Sequence, residues 1–177
     1  MKLTKEVGRK RVLNCAKQYQ QNLLHKKLLI IFRERQDNSI RFIEVIFHER
    51  NYQHLTGLEL TNTEGKILQH QSKNFYRKCI ENKLGLNDVD KVIGGVNFCL
   101  GLSRENDVFV PSSALLEDIK KLTSSPSQVL AIFEKDIDSE LYSTVKHVAK
   151  GLNLHHLILP PEISSKISLE HYVSRRK

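Results

Sequence analysis

Between Ile40 and His48 the chain reads Ile-Arg-Phe-Ile-Glu-Val-Ile-Phe-His, and this run constrains the fold more than any other. In an extended strand alternate residues share a face. Ile40, Phe42, Glu44, Ile46 and His48 would point one way, and Arg41, Ile43, Val45 and Phe47 the other. Both sets contain large apolar groups, so the strand is predicted to be central and largely covered. Upstream lies a second apolar, Ile-rich run, Leu28 to Arg33, and Gln36-Asp37-Asn38-Ser39 separates the two. Asp and Asn side chains bond the local backbone and tolerate left-handed geometry, which suits them to a turn. The pair is predicted to form an antiparallel hairpin.

Around this hairpin the pattern alternates between helix and strand. Val7, Leu13, Ala16, Leu23 and Leu24 recur at steps of three and four, which predicts a helix capped by Thr4 and ending near His25. Ser72 is placed to cap a helix holding Phe75, Tyr76, Cys79 and Ile80, with Gly85 as its stop and a further turn beginning at Asn87 or Asp88. Val96 to Leu102 and Val108 to Val110 read as strands around the loop Ser103 to Asp107, with Pro111 ending the second. Ser112 then suits the cap of a helix carrying Leu115, Leu116, Ile119 and Leu122. Val129 to Phe133 and Leu154 to Leu159 read as strands, the latter closed by Pro160-Pro161. Leu141 to Val148 fits either a helix or a strand by periodicity. The expected class is α+β, with helices at one end of an antiparallel sheet. Length favours one domain over residues 1–177: a basic helix over 1–27, a sheet-containing core over 28–160, and a basic tail over 161–177.

Charge and cysteine content narrow the class of protein. There are 28 Lys and Arg against 20 Asp and Glu, a formal charge of +8, which favours a polyanionic partner. The first 27 residues hold eight cations and a single acid, Glu6. A solvated outer face is the ordinary alternative to a phosphate-contacting one. Three cysteines, Cys15, Cys79 and Cys99, are widely spaced with no CxxC pair, against a disulfide framework or a structural zinc site. The longest apolar run, Leu28 to Phe32, is far too short to span a bilayer, and no N-terminal stretch has the order of a secretory leader. Reduced thiols in a cytoplasmic protein, with no membrane partner, are the expectation.

Phosphate-cradling and metal-binding motifs are scarce. Gly94-Gly95 lacks both the third glycine of a dinucleotide site and the Lys-Ser/Thr of a P-loop, and no pair among the eight histidines has HExxH spacing. No cofactor and no metal are expected. His54 is the most informative histidine, because Thr56 lies two residues on, Gly57 follows, and Arg50 is four residues earlier. On a strand, His54 and Thr56 would share a face. An imidazole, a hydroxyl and a cation are the parts metal-free RNA cleavage requires: a base for the ribose 2′-OH, a positive charge for the phosphorane, and an acid for the leaving 5′-oxygen. The ordinary alternative is a histidine bonded to backbone at a strand end. Lys135 and Lys146 add cations near strand ends, and Tyr76 and Tyr142 can stack a base or donate a proton. Surface lysines and half-buried tyrosines are their commonplace equivalents.

The stretch Asn51-Tyr52-Gln53-His54-Leu55-Thr56-Gly57, with Phe75-Tyr76, Cys79 and Leu84 to Asp90, resembles the phage-associated nuclease family named after barnase, EndoU, colicin and RelE, its fourth subgroup in particular. The likeness continues through Val108 to Asp118, Val129 to Lys135 and Tyr142, and so spans about residues 10 to 160. His-Leu-Thr-Gly is its distinctive element. Tyr52 stands where the family pattern has a phenylalanine. The resemblance implies N-terminal helices before an antiparallel sheet that binds RNA, metal-independent endoribonuclease chemistry through a 2′,3′-cyclic phosphate, and an origin in a phage or mobile element, hence action in the bacterial cytoplasm. It also favours a strand for Leu141 to Val148, since active groups in such folds lie on neighbouring strands. Carried over by resemblance are His54 and Thr56 and, less directly, Ser112, Lys135 and Tyr142. The catalytic set is then His54, Thr56, Ser112 and Lys135, and the substrate-binding set Arg50, Tyr76, Arg104 and Tyr142.

Two other readings compete. A catalytically inactive member could block a bacterial defence system by binding a nuclease, a guide RNA or a nucleotide signal, since positive charge contributes to such binding without chemistry. A DNA-binding regulator is the third, but no helix-turn-helix spacing supports it. RNA or another polyanion is the expected partner, and a host defence protein the alternative; the oligomeric state is open.

Overall fold

A computed structural model describes residues 5–56, 72–83, 99–115, 119, 126–170 and 172. The elements run α1 (Lys5–Asn22), β1 (Lys26–Arg33), β2 (Ile40–Ile46), α2 (Asn51–Thr56), α3 (Ser72–Ile80), β3 (Cys99–Glu105), β4 (Val108–Leu115), β5 (Gln128–Asp136), β6 (Thr144–Val148) and α4 (Pro161–Ser164), with a 3₁₀ turn at Leu154–His156. This is an α+β fold, as the sequence pattern predicts. Thr4, Asn87 and Asp88, Gly57, Gly85 and Gly94-Gly95 lie outside the described residues. Among those described, no helix is long and apolar enough to cross a membrane.

The chain divides into two compact units. The first comprises Met1–Leu24, Phe47–Arg104 and Val110–Asp118. Its core forms because α1 carries Val12, Leu13, Ala16 and Tyr19 at helical spacing, all buried. Tyr19 and Tyr52 rings lie 5.2 Å apart, Tyr52 and Tyr76 5.8 Å, and Tyr52 and Phe75 6.1 Å, so α1, α2 and α3 share one aromatic cluster. Two of the three tyrosine hydroxyls are used: Tyr19 donates to the His48 carbonyl at 2.8 Å and Tyr52 to that of Val12, while the buried Tyr76 hydroxyl meets no acceptor among the described residues. Burial above all pushes both phenols well above their ordinary range, so they remain neutral donors. Asn82, with a left-handed φ of 57°, ends α3: the Lys83 amide closes back on the Lys78 carbonyl at 2.8 Å. The stop therefore comes before Gly85, the glycine the sequence suggests.

The second unit comprises His25–Ile46, Glu105–Phe109 and Ile119–Lys177. β1 is its centre, antiparallel to β2 on one side and β5 on the other, and β6 pairs antiparallel with β5. β2 is inner too, because Val45 meets Phe109 of β4 in parallel register. The hairpin turn uses Asn38 at φ 58° and Asp37, whose Oδ1 accepts from the Ser39 amide and hydroxyl. Those bonds, with help from Arg41, bring the Asp37 carboxyl down to about 2. Leu29, Ile31, Ala131 and Phe133 share the sheet face against which Tyr142, Leu154 and Ile163 pack. Leu141 to Val148 resolves into β6, preceded by Tyr142, which bridges to Ile167.

Three expectations about the strands fail. β3 runs on to Glu105, so Ser103, Arg104 and Glu105 belong to the strand rather than to the loop before β4. β4 continues through Pro111 to Leu115, so Pro111 does not end it and Ser112 lies in a strand rather than capping a helix. Pro111 has no N–H to give a ladder, and its carbonyl accepts from Asn51 Nδ2 at 2.8 Å. Leu154 to Leu159 is not a strand either. Asn153 turns the chain into the 3₁₀ turn by accepting the His155 amide with its side chain, a local bond that competes with extended structure.

Two carboxylates in the second unit are clamped by lysines. Glu44 accepts from Lys27 at 2.9 Å, Lys166 at 3.2 Å and the Tyr142 hydroxyl at 3.0 Å. Glu134 pairs with Lys26 at 2.9 Å and Lys146 at 3.1 Å. Burial pushes each carboxyl up, but the lysine hydrogen bonds and charges, joined at Glu44 by the Tyr142 bond, outweigh it and hold both below 4.5. A depressed folded value means the native state binds fewer protons than the unfolded chain. The stabilisation is therefore complete above about pH 4.5 and lost as the pH falls through the folded values. Urea melts across that range are expected to show falling stability. Glu44→Gln should cost about 1–3 kcal/mol at pH 7 and flatten the acid dependence. An unchanged acid limb would contradict the clamp.

Candidate active site on a short helix

Asn51–Thr56 folds as a helix after a turn at Glu49 and Arg50, rather than as a strand, and local bonds account for it. Asn51 Oδ1 accepts the His48 amide at 2.8 Å while the Asn51 amide donates to the His48 carbonyl at 2.9 Å. Thr56 closes the far end by donating its hydroxyl to the Gln53 carbonyl at 2.7 Å. Asn51, Tyr52 and Gln53 are buried, so half of this six-residue helix is held by the first unit's core. His54 follows them and is exposed.

This placement corrects the expected pairing of His54 with Thr56. Residues two apart on a helix point to different sides, so the two do not converge as they would on a strand. The Thr56 hydroxyl is also turned onto the Gln53 carbonyl. What lies beside His54 is set by residues three and four away. Asn51 is three residues earlier, and its Nδ2 holds the carbonyl of Pro111 on β4. Positions three apart on a helix lie about 5–6 Å apart at Cβ. His54 is therefore one helical turn from Asn51, the residue that bonds the strand backbone just before Ser112. Ser112 is exposed, and its hydroxyl reaches the Gly101 carbonyl of β3 at 3.3 Å. Arg50, exposed in the turn just before α2, is four residues before His54. Arg104, also exposed, lies on β3. The first unit thus carries His54 and Arg50 on one segment and Ser112 on another, and the Asn51–Pro111 bond joins the two segments.

The remaining candidates have other surroundings. Tyr76 is 3% exposed within the aromatic cluster, and burial, then the Glu49 charge, raises its phenol. Lys135 and Tyr142 belong to the second unit, where they meet each other: the Lys135 ammonium stands 5.0 Å from the Tyr142 ring centroid. Lys135 also donates to the carbonyls of Ser139 at 2.6 Å and Glu140 at 3.0 Å, which closes the β5–β6 turn. Tyr142 is 1% exposed and spends its hydroxyl on Glu44, so burial and that carboxylate push its phenol upward. Neither tyrosine has an open ring face for a base, because both are sealed by packing. Among the described residues no three of His, Cys, Asp and Glu converge as metal ligands. Sequence reasoning missed Asn51, the residue that joins α2 to β4. Its only signal is an amide side chain at a helix start, which suits many turns.

Comparison with known families bears on this helix directly. Residues 11–93 match the family described as "phage-Barnase-EndoU-ColicinE5/D-RelE like nuclease4". That is the family the sequence resembles. The nuclease match covers slightly less than half of the chain. It contains Arg50, His54, Thr56 and Tyr76, and it stops before Arg104, Ser112, Lys135 and Tyr142. The likeness expected to run to about residue 160 is thus confined to residues 11–93 in this family match. No curated protein and no solved structure matches the chain.

Proposed function

We propose that the protein is an endoribonuclease of phage or mobile-element origin, in which His54 moves a proton during cleavage. The observation that carries this reading is the exposed His54 on a helix whose preceding three residues are buried, inside the segment that matches a nuclease family. An anchored imidazole open to solvent can meet a large substrate at little reorganisation cost. In the reaction, the ribose 2′-oxygen attacks phosphorus as its proton leaves to a base, the P–O5′ bond breaks, and the 5′-oxygen takes a proton from an acid. His54 serves as that base or acid. Arg50 stabilises the phosphorane charge, and Ser112 holds a non-bridging oxygen. Thr56 and Lys135 support the local backbone through the bonds described above, and Arg104 contributes positive charge for substrate. The reaction leaves a 2′,3′-cyclic phosphate and a 5′-hydroxyl, and it requires no cofactor.

A second reading, binding without cleavage, draws support from the same bonds: the Thr56 hydroxyl and the Lys135 ammonium are taken up internally, which leaves fewer groups around a reacting phosphate. Such a protein would block a defence nuclease, a guide RNA or a nucleotide signal. The two separate on one experiment. Purified protein is incubated in EDTA with an RNA and with its 2′-O-methyl counterpart. The endoribonuclease reading expects cleavage of the RNA and an intact methylated strand, because the nucleophile is blocked. Binding to both without products favours the second reading, and cleavage of the methylated strand or complete loss in EDTA overturns the chemistry.

A further inference from the structure

α1 carries five Lys and Arg and one acid over Lys5–Asn22. Its inner side is taken by Val12, Leu13, Ala16 and Tyr19. With 3.6 residues per turn, Lys10, Asn14, Lys17 and Gln21 follow one another along the opposite side, with Arg11 flanking them, and all five are exposed. Lys10 meets Glu6 at 3.1 Å in an i,i+4 pair with both side chains largely in water, a contact of small worth that a stronger anion displaces. Among the described residues, no carboxylate meets Arg11 or Lys17. The strip from Lys10 to Gln21 is roughly 16 Å long. It alternates cations with amides, the combination that grips phosphates and bonds sugars and base edges without demanding one sequence.

We propose that this outer face of α1 is a docking strip for the phosphate backbone of single-stranded RNA, separate from His54. The occupant is argued from charge: within α1 the only acid is Glu6, in its first turn, so the helix itself sets no negative charge against an anion along its remaining turns. The proposal rests on RNA as the substrate and adds where the strand is held. Cys15, exposed on the flank of the strip, reports on occupancy, whereas Cys79 is buried.

The test uses the full chain and a fluorescent 2′-O-methyl oligonucleotide as an uncleaved probe, titrated across a salt series. Replacing Arg11→Gln together with Lys17→Gln is expected to reduce the slope of log affinity against log salt by about 1.4, two phosphate contacts at about 0.7 each, and to weaken binding roughly tenfold at physiological salt. The pair Arg35→Gln and Lys150→Gln, exposed cations elsewhere, is the control and is expected to leave both unchanged. Saturating oligonucleotide is expected to slow alkylation of Cys15 in the parent protein. If the parent binds the probe but the α1 variant keeps its slope and Cys15 stays reactive, the strip is overturned while RNA as substrate stands. If the parent binds no probe, the RNA reading fails with it. Loss confined to binding of phosphatidylserine vesicles would likewise overturn RNA as the occupant.

Discussion

His54→Ala should lower the rate of RNA cleavage by about 10²–10⁴-fold, the usual contribution of a positioned general acid or base. Its effect on stability should stay within about 0.5 kcal/mol, because His54 is exposed and the helix beneath it is held by other residues. That contrast makes the variant informative. Asn51 keeps α2 in place through bonds to His48 and Pro111, and Tyr52 through its bond to Val12, none of which involves the imidazole. Circular dichroism and thermal melting are expected to match the parent while product formation falls away. Equal cleavage by parent and variant would remove His54 from the chemistry. A variant that unfolds would show instead that the ring supports the fold.

Phe133→Ala is expected to have the largest effect on folding. Phe133 is 0% exposed on β5, opposite Leu29 of β1 and Val145 of β6, on the face covered by Tyr142, Leu154 and Ile163. Truncation removes an aromatic ring from a packed layer that cannot close around the gap, at a cost of about 3–5 kcal/mol. For a chain of this length the midpoint should fall on the order of 10 °C. Phe133→Leu, which leaves a smaller gap, should lose clearly less. A shift of only a degree or two for the alanine variant would show that the second unit's core does not depend on this position.

Much of the framework could be read from the sequence, for reasons visible in particular residues. The β1–β2 hairpin was legible because Ile40 to His48 is apolar on both faces and Asp37 and Asn38 supply the turn chemistry on the spot. α1 was legible because its apolar positions keep helical spacing across several turns. α2 was not, since six residues are too few to show a period. Its helix is fixed by Asn51 bonding His48 and Pro111, the latter 60 residues away in sequence. Pro111 misled in the same way, because nothing local announces that its carbonyl will be bonded by a side chain 60 residues away. In Leu154 to Leu159, alternation persists: Leu157 and Leu159 pack on the core while Ile158 is 89% exposed. Yet Asn153 captures the His155 amide and bends the start of that run into a 3₁₀ turn. For the candidate site, the sequence singled out His54, whereas its neighbours depend on contacts between distant segments. Thr56 shares a face with His54 only if the segment is extended.

The most direct test of the central claim is end-group analysis of one defined RNA after incubation, in EDTA, with the parent protein and with His54→Ala. The account predicts fragments with 2′,3′-cyclic phosphate and 5′-hydroxyl ends from the parent and almost none from the variant. Equal amounts of cyclic ends from both, or 5′-phosphate ends from the parent, would contradict it.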